Sequence, residues 1–314
     1  MRVLLTTNRE LLASAVNGRY AVGAFNIQNL ESLQAVVTAA EEEESPVIVA
    51  VTPSTIDYAG LHYIADLVKN AARFAAVPIS LHLDHGKDVG TVVRCLDEGF
   101  TSVMIDASHL DLKQNIATTG KVVEIAHKRR VPVEAELGRL IKVEDSSVQE
   151  KEAILTDPQA AREFVDRTDV DALAVAIGTS HGAYKFRAEP RLDFNRLMEI
   201  RDHVQVPLVL HAASGVSFSM VKKATEYGAQ LEGAKGVPDE SIQKAIALGI
   251  AKINIDTDLR LAFTATVREI LATAPAEFDP RKILGPARDA MKNVVRGKMR
   301  LFGSSGKASM KKDL

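Results

Sequence analysis

The chain has 314 residues, 46% hydrophobic and 25% charged, with a formal net charge of −2. That is an ordinary composition for a globular protein, and the near-neutral charge argues against a nucleic-acid partner, which calls for a basic face. A single cysteine, Cys95, excludes an intrachain disulfide framework and a cysteine-based metal cluster.

Aromatic residues are only 5% and Trp is absent, so the core must be aliphatic. The opening segment MRVLLTTNRE lacks the apolar stretch of a secretory leader, and no run approaches the roughly 18–20 apolar residues of a membrane span. A cytoplasmic enzyme with no membrane partner is the expectation.

Eight short apolar runs follow one another along the chain. They are AVGAFNI (21–27), PVIVAVT (46–52), PISLHLDHG (78–86), SVMIDAS (102–108), PVEAELG (132–138), ALAVAIG (172–178), PLVLHAAS (207–214) and AKINIDTD (251–258). Most lack apolar/polar alternation, as strands covered on both faces do. Four begin at a proline (Pro46, Pro78, Pro132 and Pro207), a residue tolerated at the first position of a strand but not inside it. Helical stretches lie between, at 29–44, 112–128 and 157–168 among others. Asp157-Pro158 supplies a capping residue and an early proline at the start of the last of these. The run Glu41–Glu44 is expected to be a solvated helix end.

Eight such runs alternating with helices predict one α/β domain, a closed TIM (β/α)8 barrel spanning 1–314. A C-terminal helical extension at about 279–303 follows, then a short polar tail from Gly303 expected to lack order. A doubly wound open sheet is the alternative, but no GxGxxG turn follows the first run.

In such a barrel the chemistry sits at the C-terminal strand ends. The runs end at Asn26, Thr52, Asp84-His85, Asp106, Glu136, Thr179–Gly182, His211 with Ser214, and Asn254 with Asp256 and Thr257. His85, His181 and His211 thus end three separate strands, which the barrel would bring to one rim. Three imidazoles and an open position form a common catalytic zinc arrangement, and a carboxylate beside it, here Asp84, can act as general base. One histidine at a strand end is more often a hydrogen-bonded structural residue; three on separate strands fit that reading poorly. His82 is expected to hydrogen-bond Asp84 from inside the barrel. His62, His109, His127 and His203 read as helix or loop residues. The last loops, with Gly182, the 211–215 turn and Asn254–Thr257, offer amides and hydroxyls for a phosphate.

Several of these segments, in order, resemble one family. HLDHG (82–86), VEAELGRL (133–140), VDALAVAIGTSHGAYK (170–185), KINIDTDLRLAF (252–263), FDPRKILGPAR (278–288) and KMRLFGSSGKA (298–308) are similar to the class II, metal-dependent fructose-1,6-bisphosphate aldolases. The resemblance runs nearly end to end. It implies a TIM barrel with one zinc ion held by His85, His181 and His211, and Asp84 as the catalytic acid/base. It also implies Glu144, in a loop after the fifth strand, as a proton donor or acceptor. Asp106 and Glu136 match an alternative or second metal position; hydrogen bonding to the histidines is the competing reading for both.

Asn26 and Thr52 match substrate-lining positions. Gly182, Ser214, Asn254, Asp256 and Thr257 match phosphate contacts. Arg281 matches an arginine that reaches the other phosphate, often across a subunit boundary. A monovalent cation, a homodimer or homotetramer and a sugar phosphate substrate complete what the resemblance implies. Tagatose 1,6-bisphosphate or another ketose phosphate is the alternative substrate, and a non-catalytic barrel that binds sugar phosphate or metal is the alternative class. A Schiff-base mechanism is disfavoured, because Lys252 is expected at the barrel bottom and no lysine ends a strand.

The chain departs from the family's pattern in four places. Ala212 follows His211 where the family carries glycine, and is costly if that position needs a positive φ. Ile141-Lys142-Val143 replaces glycines in the loop before Glu144. Arg130 replaces a glycine before the fifth strand and is expected to be harmless. Thr52 replaces a serine and keeps the hydroxyl.

Overall fold

The computed structural model describes residues 5–138, 141–142, 154–181, 192–231 and 234–308, with the backbone alone for 141–142 and 180–181. Among the described residues ten strands run in chain order: β1 Val22–Asn26, β2 Val47–Val51, β3 Ile79–Gly86, β4 Ser102–Ile105, β5 Val133–Leu137, β6 Ile141–Lys142, β7 Ala172–Val175, β8 Ser180–His181, β9 Leu208–Leu210 and β10 Ile250–Ile255. Eight of them close a barrel in the order β1-β10-β9-β7-β5-β4-β3-β2, every neighbouring pair parallel. Seven of the eight apolar runs each contain one barrel strand, and the eighth overlaps β10, which begins one residue earlier at Ile250.

The absence of alternation has a simple cause: both strand faces are buried. One face points outward and packs under the helices, as Val47, Val49 and Val51 do with Leu33, Val36, Ile64 and Val68. The other face fills the barrel. Near the N-terminal strand ends it is apolar and small, with Val22, Ala24, Ile48, Ala172, Ala174 and Val209 packed against Leu11, Leu12 and Ala15 of the helix Asn8–Gly18. That helix starts from a capping box between Thr7 and Glu10, worth about 1 kcal/mol. It closes the bottom, so the barrel opens only at the C-terminal strand ends.

β6 and β8 lie outside the barrel and pair with each other, Ile141 opposite Ser180 and Lys142 opposite His181. The segment leading to Glu144 therefore runs along the strand that carries His181.

Two expectations need correction. The acidic run is only in part a solvated end: Glu41, Glu42 and Glu44 are exposed, but Glu43 is buried and receives Arg296, Arg300 and Ser305, while Glu42 pairs with Lys292 and Arg296. These partners come from or follow the helix Pro280–Leu301, which packs on the helix Leu30–Glu42. The start of the tail is held as well. Ser304 is buried, and the Gly306 and Ala308 N–H groups donate to the Glu43 and Glu44 carbonyls at 2.8 and 2.7 Å.

Candidate functional site

Strand alternation would place Asp84 and His85 on opposite faces. They converge because His85 takes φ +52°, in the left-handed region a non-glycine residue rarely adopts. The β3–β4 register shifts at the same place, between Leu83 and Gly86. Strain of this kind at a strand tip marks a site where geometry is held for a purpose.

The His85 ring spans two partners. Nδ1 lies 3.0 Å from Asp106 Oδ2, and Nε2 lies 3.0 Å from His211 Nδ1. His211 in turn donates from Nε2 to Glu134 Oε1 at 2.7 Å. The outer nitrogen of each ring is thus fixed by a carboxylate, and the inner nitrogens face one another. Two imidazole nitrogens this close need a positive centre between them, because two lone pairs repel. A shared proton meets the need, and so does a metal cation: two imidazole ligands of a tetrahedral zinc sit about 3.3 Å apart. Carboxylates behind ligating histidines are the usual support of such a site.

Among the described residues two groups of side chains could hold an ion, Asp84 with His85 and His211, and His85 with Asp106 and Glu136. Glu136 Oε2 is buried without a hydrogen bond among the described residues and lies 3.5 Å from His211 Nδ1. The donor set is one that suits zinc, so the residues fit the ion their sequence pattern implies.

The electrostatics agree. Burial opposes charge on His85, but Asp84, the hydrogen bond with Asp106 and the nearby Glu136 outweigh it and raise the ring to about 9. Burial pushes Glu136 up to about 8, with the Asp106 charge adding to it. Asp84 and Glu134 behave in the opposite sense. Burial works against their charge, yet the cationic surroundings hold both well below the usual carboxylate range. For Asp84 these are His85, His211 and Lys252; for Glu134, Lys252 and the His211 bond come first.

Asp84 is gripped from both sides. Asn26 Nδ2 donates to Oδ2 at 2.8 Å and Asn254 Nδ2 donates to Oδ1 at 2.9 Å. Asn254 is itself fixed by Lys252, whose ammonium donates to its Oδ1 at 2.7 Å. The expected support from His82 is therefore replaced. His82 Nδ1 pairs with Asn8 and Ser102, and burial drives this ring down to about 3.

The other predicted residues distribute unevenly. Ser214 Oγ accepts the Asp256 N–H at 3.4 Å, and Asp256 Oδ1 receives Gln28 and Arg260. Asn254, expected at a phosphate, has its amide on Asp84 instead. Thr52 caps the helix Pro53–Ala59, its hydroxyl accepting the Thr55 N–H. Thr257 begins the helix Thr257–Thr273. Arg281 is far out on the surface, its side chain 89% exposed and paired with Asp279. His181 is described as backbone only, and Gly182 and Glu144 lie outside the described residues.

Two neighbours escaped the sequence reading. Glu134 lies two residues before Glu136 and so shares its inward face, a signal that period-2 counting on VEAELG could have found. Lys252, expected to open its strand at the barrel bottom, has its backbone in the lower layer opposite Val22 and Val209, but its side chain reaches up to Asn254. It is the third residue of β10, fully buried, and its ammonium meets Glu134 at 2.9 Å. Ala212 has φ +55°, so the family's glycine is replaced where L side chains are disfavoured. Arg130, expected to be harmless, has φ +60° and carries the same strain.

Comparison with known proteins bears on the family. The chain matches the family described as fructose-bisphosphate aldolase class-II over residues 6–231 and 230–307. It is 52% identical over 306 residues to a fructose-bisphosphate aldolase of Thermus caldophilus, covering 97% of this chain and 100% of the relative. A fructose-bisphosphate aldolase of Helicobacter pylori is 46% identical over 306 residues, with the same coverage. Among solved structures, the YdjI aldolase of Escherichia coli K12 superposes with a TM-score of 0.80 at 35% identity, covering 98% of this chain and 100% of the other.

Proposed function

The chain belongs to the class II fructose-bisphosphate aldolase family, and from that premise we propose that the rim around Asp84 cleaves fructose 1,6-bisphosphate reversibly to dihydroxyacetone phosphate and glyceraldehyde 3-phosphate. The observation that carries the reading is the 3.0 Å approach of His85 Nε2 to His211 Nδ1, each ring backed by a carboxylate, beside an ionised Asp84.

The family is generally zinc-dependent, and we assign the ion to His85, His211 and His181, with Asp106 and Glu136 as an alternative or second position. When bound there, zinc supplies a Lewis acid for the ketone oxygen, worth several kcal/mol to the charge that develops on it. Asp84 then takes the proton of the C4 hydroxyl as the C3–C4 bond breaks. The bond pair goes to C3 and C4 leaves as an aldehyde. Because Asn26 and Asn254 each take one lone pair of Asp84, its remaining lone pairs have a fixed direction. Glu144 is assigned the proton that C3 needs.

Substrate phosphates are assigned to Gly182, Ser214, Thr257 and the amide groups about Asp256, with Arg260 as an additional cation at the mouth. A monovalent cation is assigned near the same loops. Arg281 is assigned to a phosphate of a neighbouring subunit in a homodimer or homotetramer; its 89% exposed side chain supports that assignment. The chain is taken as one barrel domain with its C-terminal helix, working in the cytoplasm; no helix among the described residues is long and apolar enough to cross a membrane.

The test is a coupled assay for triose phosphate with fructose and tagatose 1,6-bisphosphates, on the wild type and Asp84→Ala. The expected result is preferential cleavage of the fructose ester and loss of at least about 100-fold in kcat for the variant. Cleavage unchanged in Asp84→Ala refutes the assigned base, and preference for the tagatose ester refutes the assigned substrate.

A further inference from the structure

The loop after β9 is held by a carboxylate that the mechanism does not use. Asp258, buried in the first turn of the helix Thr257–Thr273, accepts the Gly215 N–H on Oδ2 at 2.8 Å and the Val216 N–H on Oδ1 at 2.6 Å. The loop needs such a hold. It contains Ala212 and Val216 at φ +55° and +47°, both strained, and it begins directly after His211. A second strut comes from the far side, where the Val237 N–H donates to the Ser214 carbonyl at 3.0 Å.

This hold has an electrostatic cost. The same loop carries Ser214, and the same helix start carries Asp256 and Thr257, the groups assigned to a phosphate. A fixed carboxylate beside a dianion is unfavourable. The structure places a counter-charge on it. Lys298, from the helix Pro280–Leu301, reaches across to set Nζ 3.5 Å from Asp258 Oδ2 and 3.3 Å from Asp239 Oδ1. Lys298 Nζ also comes close to Gly215, where a Cβ would stand 2.9 Å from it. A cavity of about 680 Å³ lined by Gly215, Asp239, Asp258, Asn293 and Lys298 leaves this contact open to solvent ions.

We propose that Asp258 and Lys298 are positioning residues for anion binding: Asp258 fixes the β9 loop by two backbone N–H groups, and Lys298 neutralises Asp258 so that the loop can take a phosphate. The proposal rests on the assignment of phosphate to this loop. It gives Lys298, near the end of the C-terminal helix, a part in holding the loop that follows His211.

The experiment uses the full-length holoenzyme and Lys298→Met, with Lys298→Arg as the conservative control. For Lys298→Met, KM for fructose 1,6-bisphosphate rises about fivefold at low salt, the order expected of one uncompensated charge near a dianion in a water-like dielectric. kcat changes by less than about twofold, since the reacting atoms lie elsewhere. The KM gap to wild type narrows as salt rises from about 0.02 to 0.3 M, because the screening length falls below the spacing of the charges. Lys298→Arg restores wild-type behaviour. A loosened fold gives no such salt dependence.

Calorimetry with inorganic phosphate reads the same effect without turnover: affinity falls in Lys298→Met and recovers with salt. Equal phosphate affinity in the two proteins, or a KM gap that ignores salt, overturns the proposal. A wild-type protein that binds phosphate but does not cleave the substrate overturns the assigned activity and leaves this proposal standing.

Discussion

Replacing Glu134 by Gln probes the support behind His211. Glu134 is 2% exposed and serves two donors at once, the His211 Nε2–H at 2.7 Å and the Lys252 ammonium at 2.9 Å. The amide is nearly isosteric, so packing is preserved. What changes is charge: Lys252, fully buried, loses its only carboxylate among the described contacts and keeps the Asn254 carbonyl. Breaking a buried pair from one side costs about 3–5 kcal/mol. Removing Lys252 as well, in Glu134→Gln/Lys252→Met, takes away the stranded charge, and at least about 2 kcal/mol of that loss returns.

Urea unfolding of the metal-free proteins measures both numbers. Zinc affinity separates the two roles of Glu134. It falls about 10–100-fold in the single and the double variant alike, because the carboxylate behind His211 is missing in both. A single substitution costing under about 1 kcal/mol, or a double variant as unstable as the sum of the singles, refutes the reasoning.

Two further predictions concern stability alone. Arg130 at φ +60° occupies a left-handed position, and Arg130→Gly is expected to raise the unfolding free energy by about 0.5–1 kcal/mol, with kinetics unchanged. A loss of stability in chemical denaturation would show that the arginine side chain outweighs the backbone strain. Glu43 gives a pH signature. The hydrogen bond from Arg300 holds its carboxyl down at about 2 against the effect of burial, with Arg296 and Ser305 adding to it, where the ordinary value is 4.5. A depressed folded value stabilises above the unfolded one and is lost as pH falls through the folded one. The difference in unfolding midpoint between wild type and Glu43→Gln is therefore constant near pH 6 and shrinks from about pH 4.5 toward 2. A difference that stays constant over that window contradicts the assignment.

The barrel was legible because its strands are continuous aliphatic runs with prolines at their starts, a pattern set by burial on both faces. The meeting of Asp84, His85 and His211 was legible because polar residues ending such runs have few other reasons to be there. What escaped depended on depth and on contacts distant in sequence. Glu134 reads as one more residue of an alternating strand, and its importance comes from Lys252, 118 positions away. Lys252 lies low in the barrel as its place in the run implies, and what the run does not show is the reach of its side chain to Asn254 and Glu134. Period-2 counting from Asn254 puts it on the same inward face. His82 has the right face but lies a layer too deep, beside Asn8 and Ser102 rather than Asp84. The convergence of Asp84 and His85 needed a positive φ that no pattern of residue types announces. The tie between Glu43 and the C-terminal helix likewise crosses more than 250 positions.

The decisive measurement is triose phosphate release from fructose 1,6-bisphosphate by the chelator-stripped protein, before and after zinc is returned. The expected result is loss of activity on stripping and recovery as zinc approaches one equivalent per chain, with no recovery in His211→Ala. Cleavage that survives stripping undiminished, or that borohydride traps on a lysine, contradicts a metal site built from His85 and His211.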